Sequence, residues 1–259
     1  MKLITYNIWV SDENFDKRLD LLCKVLMESH GDVIALQEVR DESVVNYIKA
    51  KCGFKYSLWK RYYDEEEGLA ILSKYPIIHE ETNWEEGRDV RNSFVLRTVI
   101  DCDDMKIGVT NIHLDYESAL NKEIEIVEAV KLIEQYKDCE YEILLGDFNS
   151  YEESSVYRYL TGQQSLMNQA ANWVDLTKSY AYSIGTSPKV TLDFNNNPRW
   201  DKENAIEVPG RFDWIMLKYP YPKENPKLRF VDIIGNKREE NITPSDHYGV
   251  ICDMDFRGR

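Results

Sequence analysis

The stretch Glu142-Ile143-Leu144-Leu145-Gly146-Asp147-Phe148-Asn149-Ser150 runs from an apolar strand directly into a carboxylate and an amide. Gly, Asp and Asn suit the dihedral angles of a turn, so GDFN alone reads as a strand leaving the core. Other strands end in the same manner. Thr5-Tyr6-Asn7 closes the first apolar run, Gln37-Glu38 the second, and Asn111-Ile112-His113-Leu114-Asp115 the run that begins at Lys106. Arg211-Phe212-Asp213-Trp214 opens a later strand, and Ser245-Asp246-His247-Tyr248-Gly249 precedes the last one. Each has an ordinary alternative: Glu38 as an ion-pair partner, His113 as a hydrogen-bonded core histidine. Their recurrence argues for a shared site, because desolvating such groups at buried strand ends is costly unless something binds them.

Between these ends, strands and helices interleave along the chain. Strands are predicted over 3–9, 33–39, 68–73, 76–80, 94–101, 106–113, 142–145, 211–217, 228–234 and 248–256. The run 33–39 is apolar enough to be buried on both faces. Helical spacing predicts helices over 15–28, with Asp12 or Asn14 as N-cap, over 44–52 and near 154–160. The clearest helix, 117–136, is predicted to turn Leu120, Ile124, Val127 and Val130 inward. Residues 161–209 are polar and punctuated around Asn195-Asn196-Asn197-Pro198, and the acidic Asp64–Glu67 reads as a solvated loop. No repeat or linker divides the chain, so 1–259 is expected to be one α/β domain, with two sheets packed inside flanking helices.

Composition narrows the function. Hydrophobic residues make up 43% and aromatic residues 12%, enough for a real core. Against 46 acidic residues stand 32 Lys plus Arg, a net charge of −14 that on balance repels phosphate. Duplex nucleic acid held by its backbone is therefore disfavoured as a partner unless an end is what is bound. Any phosphate must be met locally, by a metal ion or a few placed cations. Five scattered cysteines without a CxxC pair suggest a reducing compartment and neither a zinc site nor a disulfide framework. With no apolar run near bilayer length and no secretory signal in Met1–Trp9, a cytoplasmic location is expected.

The ordered set Thr5-Tyr-Asn7-Ile-Trp, Leu36-Gln-Glu38-Val, Asn111-Ile-His113-Leu, Leu145-Gly-Asp147-Phe-Asn149, Arg211-Phe-Asp213-Trp-Ile and Ser245-Asp246-His247-Tyr-Gly resembles the endonuclease/exonuclease/phosphatase superfamily of divalent-metal phosphoesterases. The resemblance spans essentially the whole chain. It implies a four-layer α/β/β/α sandwich with the active site at one rim of two mixed, mainly antiparallel sheets. It also implies Mg²⁺ or Mn²⁺ held by Glu38, with Asn7 supplying an amide oxygen and Asp246 close by. Mg²⁺ keeps several waters and needs few protein oxygens, which suits so sparse a set. Asp147 matches the residue that orients or deprotonates the attacking water, and Asn149 an amide that holds the water or a phosphate oxygen. His247, paired with Asp213, would contact the phosphate, and His113 would stabilise the oxyanion. Whether Asp147 or His247 is the general base stays open at this level.

Other positions fit less closely. Where many relatives carry Arg-x-x-Gln on the next helix, this chain has Lys122-Glu-Ile-Glu125. Thr191-Leu-Asp193 replaces a T-W-D segment, leaving Asn197 as a candidate at the substrate rim. Arg88 and Arg91 are either phosphate contacts or surface ion-pair partners, and Arg91 is carried forward as a substrate-binding candidate. Tyr151-Glu-Glu after GDFNS argues against an inositol polyphosphate 5-phosphatase, and the missing signal against a secreted sphingomyelinase. The expected activity is Mg²⁺-dependent hydrolysis of a phosphodiester or phosphomonoester in a small or single-stranded substrate. The tyrosyl-DNA-phosphodiesterase-like and small bacterial members look most similar. One alternative is a DNA-end or abasic-site nuclease, with Lys60-Arg-Tyr-Tyr63 hinting at a basic, aromatic groove. The other is an inactive binding protein on the same fold.

Overall fold

The computed structural model describes residues 1–62, 66–83, 94–200 and 206–257. Arg88, Arg91 and Tyr63 lie outside the described residues. The elements run β1 (Lys2–Asn7), α1 (Phe15–Ser29), β2 (Val33–Val39), α2 (Glu42–Cys52), β3 (Tyr56–Arg61), β4 (Gly68–Ser73), β5 (Ile77–Thr82), β6 (Phe94–Asp101) and β7 (Lys106–His113). They continue with α3 (Ala119–Glu134), β8 (Tyr141–Asp147), α4 (Ser155–Leu160), β9 (Trp173–Asp175), α5 (Leu176–Ser183), β10 (Asp213–Lys218), β11 (Lys227–Ile234) and β12 (Gly249–Asp255).

Two six-stranded sheets form, in the orders β11-β12-β1-β2-β4-β3 and β5-β6-β7-β8-β10-β9. Within each, one parallel pair, β1/β2 or β7/β8, is flanked by antiparallel neighbours. Strand alternation explains the layering, since successive side chains face opposite ways. Leu3, Val33, Ala35 and Ile71 meet Leu96, Val109, Ile143 and Leu145 between the sheets. The alternate residues Ile4 and Ile34 pack under Leu22, Leu26 and Ile48 of α1 and α2. Leu144 and Trp214 pack under Ile126, Val130 and Ile133 of α3. The architecture is the expected four-layer sandwich.

Register gathers the polar strand ends. Asn7 pairs with Gln37, and His113 with Asp147, so four parallel strands finish at one rim. Asp213 opens β10 opposite Asp147, and Val250 in β12 lies opposite Thr5, so the antiparallel strands begin at that rim. Just inside it, Gln37 Nε2 donates to Asn111 Oδ1 at 2.6 Å, and Asn111 Nδ2 donates to the Leu36 and Ala70 carbonyls. These two motif residues join the sheets.

Three features depart from the expectations. β3 is an edge strand with half-exposed side chains, including Lys60 and Arg61 that suit an edge but hide its periodicity. β9 and α5 occupy part of the polar stretch 161–209; three residues of strand are too short to produce a pattern. In α3, Leu120 is 62% exposed, while Ile126, Ala129, Val130 and Ile133 face the sheet and Glu125 is buried with them.

Candidate active site

Backbone geometry aims the side chains at the rim. Gly146 has φ 148°, and a Cβ there would lie 1.9 Å from the Ile112 carbonyl oxygen. Glycine thus lets β8 hug β7 immediately before Asp147. Glu38 takes φ 55° within an irregularity of the β2–β4 ladder between Leu36 and Val39, and Asn149 takes φ 45°. A left-handed glutamate is uncommon, and such conformations concentrate where function demands a particular side-chain direction.

Asp147 is the hub, with 1% exposure. Its Oδ1 accepts from the Asn149 N–H at 2.8 Å and its Oδ2 from Asn7 Nδ2 at 3.0 Å. His113 Nε2 and His247 Nε2 each stand 3.8 Å from the same Oδ2. Asp213 Oδ2 accepts from His247 Nδ1 at 3.0 Å, and the bond orients the ring toward Asp147. Burial alone would lower the imidazole's pKa, but Asp213, Asp147 and Asp246 outweigh it and hold His247 well above the ordinary histidine value. Its Nε2 is therefore a proton donor. Asp246 accepts from the Ser245 hydroxyl at 3.1 Å. Burial pushes its carboxyl up to about 6; His247 opposes the shift, and Glu38 and Asp147 add to it.

Asn7 is turned the other way from a ligand. Its NH₂ donates to Glu38 Oε1 at 2.7 Å and to Asp147, while its oxygen accepts from the Trp9 N–H at 3.0 Å. In this rotamer Asn7 braces two carboxylates and offers no oxygen to a cation. Glu38 Oε2 also accepts from the Val10 N–H at 3.0 Å. Asn197 is a correction as well. It is fully buried, donating to the Ser245 carbonyl at 2.9 Å and accepting from the Thr243 hydroxyl and the Arg199 N–H. Its amide is committed to the loop that carries Asp246 and His247, so it does not face a substrate.

Two residues close to the hub lie in stretches that the sequence marked without giving them a place at the site. The Tyr62 hydroxyl lies 3.3 Å from His113 Nδ1 and reaches it from the end of the unrecognised edge strand. Lys122 Nζ donates to the Asn149 carbonyl at 2.8 Å, while Glu125 accepts the Asp115 N–H at 2.8 Å. The Lys122…Glu125 spacing on a helix was visible, but its targets were not.

The donor set fits a hard cation. Four carboxylates, Glu38, Asp147, Asp213 and Asp246, share electrostatic influence at one rim, and like charges so buried favour a divalent ion among them. Asp147, Asp213 and His247 offer atoms within 4.8 Å of one another, and Asp213 and His247 already bind each other. A second group of this kind, Asp138, Cys139 and Glu142, surrounds the buried Arg97 guanidinium, at 3.0 Å from Asp138 and 2.6 Å from Glu142, so its cation is supplied by the protein.

A model of the Endonuclease/Exonuclease/phosphatase family matches residues 4–247. The chain belongs to that family. As a member of the Endonuclease/Exonuclease/phosphatase family it is a hydrolase of phosphoester bonds. An uncharacterised Caenorhabditis elegans protein is 22% identical over 99% of this chain and 91% of its own length. The inositol phosphosphingolipids phospholipase C of Saccharomyces cerevisiae is 23% identical over 87% of this chain, and the match spans 52% of that protein. The fold is similar to that of Danio rerio TDP2 complexed with a single-strand DNA product, with a TM-score of 0.78, 18% identity and 98% coverage of both chains. It is also similar to an endonuclease/exonuclease/phosphatase from Bacteroides vulgatus, with a TM-score of 0.75, 15% identity and 98% coverage of both. Among the described residues, no helix is long and apolar enough to cross a membrane.

Proposed function

We propose that this enzyme hydrolyses a phosphodiester in a small or single-stranded substrate by in-line attack of water, with Mg²⁺ or Mn²⁺ as cofactor. The observation that carries the reading is the convergence of His113 and His247 on Asp147, with Asp213 behind His247. Asp147 takes the proton of the attacking water: the Asn149 N–H and Asn7 Nδ2 hold its carboxylate in place at the rim, whereas the raised pKa of His247 favours that ring's protonated form. His247 and His113 donate to the phosphoryl oxygens as charge grows on them. Asn149 keeps Asp147 pointed through its N–H, and Asn197 is a positioning residue for the loop of Asp246 and His247.

Glu38 and Asp246 would hold the cation. When bound, it supplies positive charge against the phosphoryl oxygens, which a surface of net charge −14 cannot. The name of the yeast relative favours a diester over a monoester. The acidic surface disfavours long duplexes.

The test is a panel of a chromogenic diester and monoester, 5′-tyrosyl and abasic oligonucleotides, short RNA, inositol phosphates and sphingomyelin, each with Mg²⁺, Mn²⁺ or EDTA. EDTA-sensitive turnover of diesters is expected. Turnover that survives EDTA, or that is confined to monoesters, would overturn the proposal.

A further inference from the structure

Arg199 holds its guanidinium between two indoles, its Cζ 4.8 Å from the Trp9 ring centroid and 5.1 Å from that of Trp200. Its Nε is buried and has no hydrogen-bond partner. No carboxylate among the described residues forms an ion pair with it. The contrast with other arginines is plain: Arg97 and Arg211, both buried, each meet two carboxylates. Arg199 itself is partly exposed, and with no anion at its buried Nε it keeps strong, fixed donors free for a ligand.

A second positive charge stands beside it. Arg18 stacks on Trp9 at 4.4 Å and spends its donors on the carbonyls of Ile8, Trp9, Ser11, Glu13 and Pro244, so no carboxylate bonds it directly. Arg18, Arg199, Trp9, Thr243 and Ser245 line a cavity of about 340 Å³. The N-terminus of α1 opens there at Asn14, which makes no side-chain cap, so the positive end of the helix adds to the field. Glu13 and Glu240 also border the cavity: Glu13 is exposed and acts electrostatically on Arg18, and Glu240 is paired with Lys17 at 3.7 Å.

The cavity adjoins the catalytic rim. The Trp9 N–H bonds to Asn7, Trp200 Nε1 donates to the Asp246 carbonyl at 3.0 Å, and Ser245 bonds to the Asp246 carboxylate. We propose that Arg199 and this cavity form a subsite for a second, non-scissile phosphate, so that the natural substrate carries at least two phosphate groups. The inference rests on the phosphoesterase reading for its claim about substrate. The binding of phosphate at Arg199 stands independently of turnover.

The test is a tryptophan-fluorescence titration in EDTA, where no metal ion offsets the rim carboxylates and binding lost on changing Arg199 reports its cavity. The probes are inorganic pyrophosphate, the dinucleotide pTpT carrying a 5′-phosphate, and an inositol bisphosphate. Wild type should saturate with pyrophosphate, and Arg199→Ala should weaken that binding by about tenfold or more, as losing charged hydrogen bonds predicts. Arg199→Lys, which keeps the charge, should recover part of the loss, and melting temperatures of both variants near wild type show that the fold is intact. A loss confined to pTpT assigns the second phosphate to a nucleic-acid strand; one confined to the inositol bisphosphate assigns it to a small molecule. Absence of saturable pyrophosphate binding, or equal affinity in wild type and Arg199→Ala, overturns the subsite. Failure of wild type to hydrolyse any diester would instead count against the proposed function, whatever the titration shows.

Discussion

Asn7 Nδ2 donates to Asp147 Oδ2 at 3.0 Å, and the bond crosses from β1 in one sheet to β8 in the other. The same NH₂ reaches Glu38 at 2.7 Å, so one amide sets the separation of two carboxylates that would otherwise repel. Position and charge are thereby coupled at the mouth of the sandwich. Asn7→Ala should reduce kcat by at least about tenfold and cost roughly 1–3 kcal/mol of stability, since buried acceptors lose their donor. Paired kinetic and denaturant measurements check it; unchanged kcat would show that the brace is dispensable.

The Asp213–His247 bond makes a separate prediction about pH. With its folded pKa raised, His247 contributes stability that is fully present below the ordinary histidine pKa and lost as pH rises through the folded value. Removing the negative charge with Asp213→Asn should move the alkaline limb of the kcat profile to lower pH. A limb that stays in place would assign it to another group.

Glu38→Gln removes one charge from the proposed cation site while keeping its shape. The Mg²⁺ concentration for half-maximal activity should rise, and the increase in melting temperature produced by Mg²⁺ should shrink relative to wild type. Equal titrations of the two proteins would place the cation elsewhere.

Glu125 is buried in α3, and burial, with Asp115 adding to it, raises its carboxyl to about 8 despite the Asp115 N–H and Lys122. The folded form holds a proton that the unfolded chain releases above about pH 4.5, so this contribution to stability falls as pH rises from there and is gone above about 8. Glu125→Gln should lose less stability than wild type between acid and alkaline buffer, a difference of about 1–3 kcal/mol. Parallel melting curves at both ends of that range decide the matter.

Much of the site could be read from the chain because motif and strand end coincide. Glu38, His113 and Asp147 lie where an apolar run stops and Asp213, Asp246 and His247 where one begins, and parallel pairing of β1/β2 and β7/β8 with antiparallel pairing of β10 and β12 carries those ends to one place. Tyr62 stood out only within Lys60-Arg-Tyr-Tyr63, and its place beside His113 was not legible because the edge strand before it is half-exposed and lacks alternation. Asn197, a rim candidate by its likeness to a T-W-D…N segment, is buried with its amide on the Ser245 carbonyl, a contact that no local pattern records.

The sequence by itself determined the alternation of strands and helices, the identity of the acidic and imidazole groups, and the family. These depend on local periodicity and on ordered motifs, which the linear chain carries whole. Only the tertiary structure decided which atom of each group faces the rim: that Asn7 presents its NH₂, that Glu125 is buried while Leu120 is exposed, and that Arg199 packs against two indoles without an ion pair among the described residues. The physical reason is that orientation and pairing arise from contacts between residues as far apart as Asn7 and Asp147, and no local pattern records such contacts.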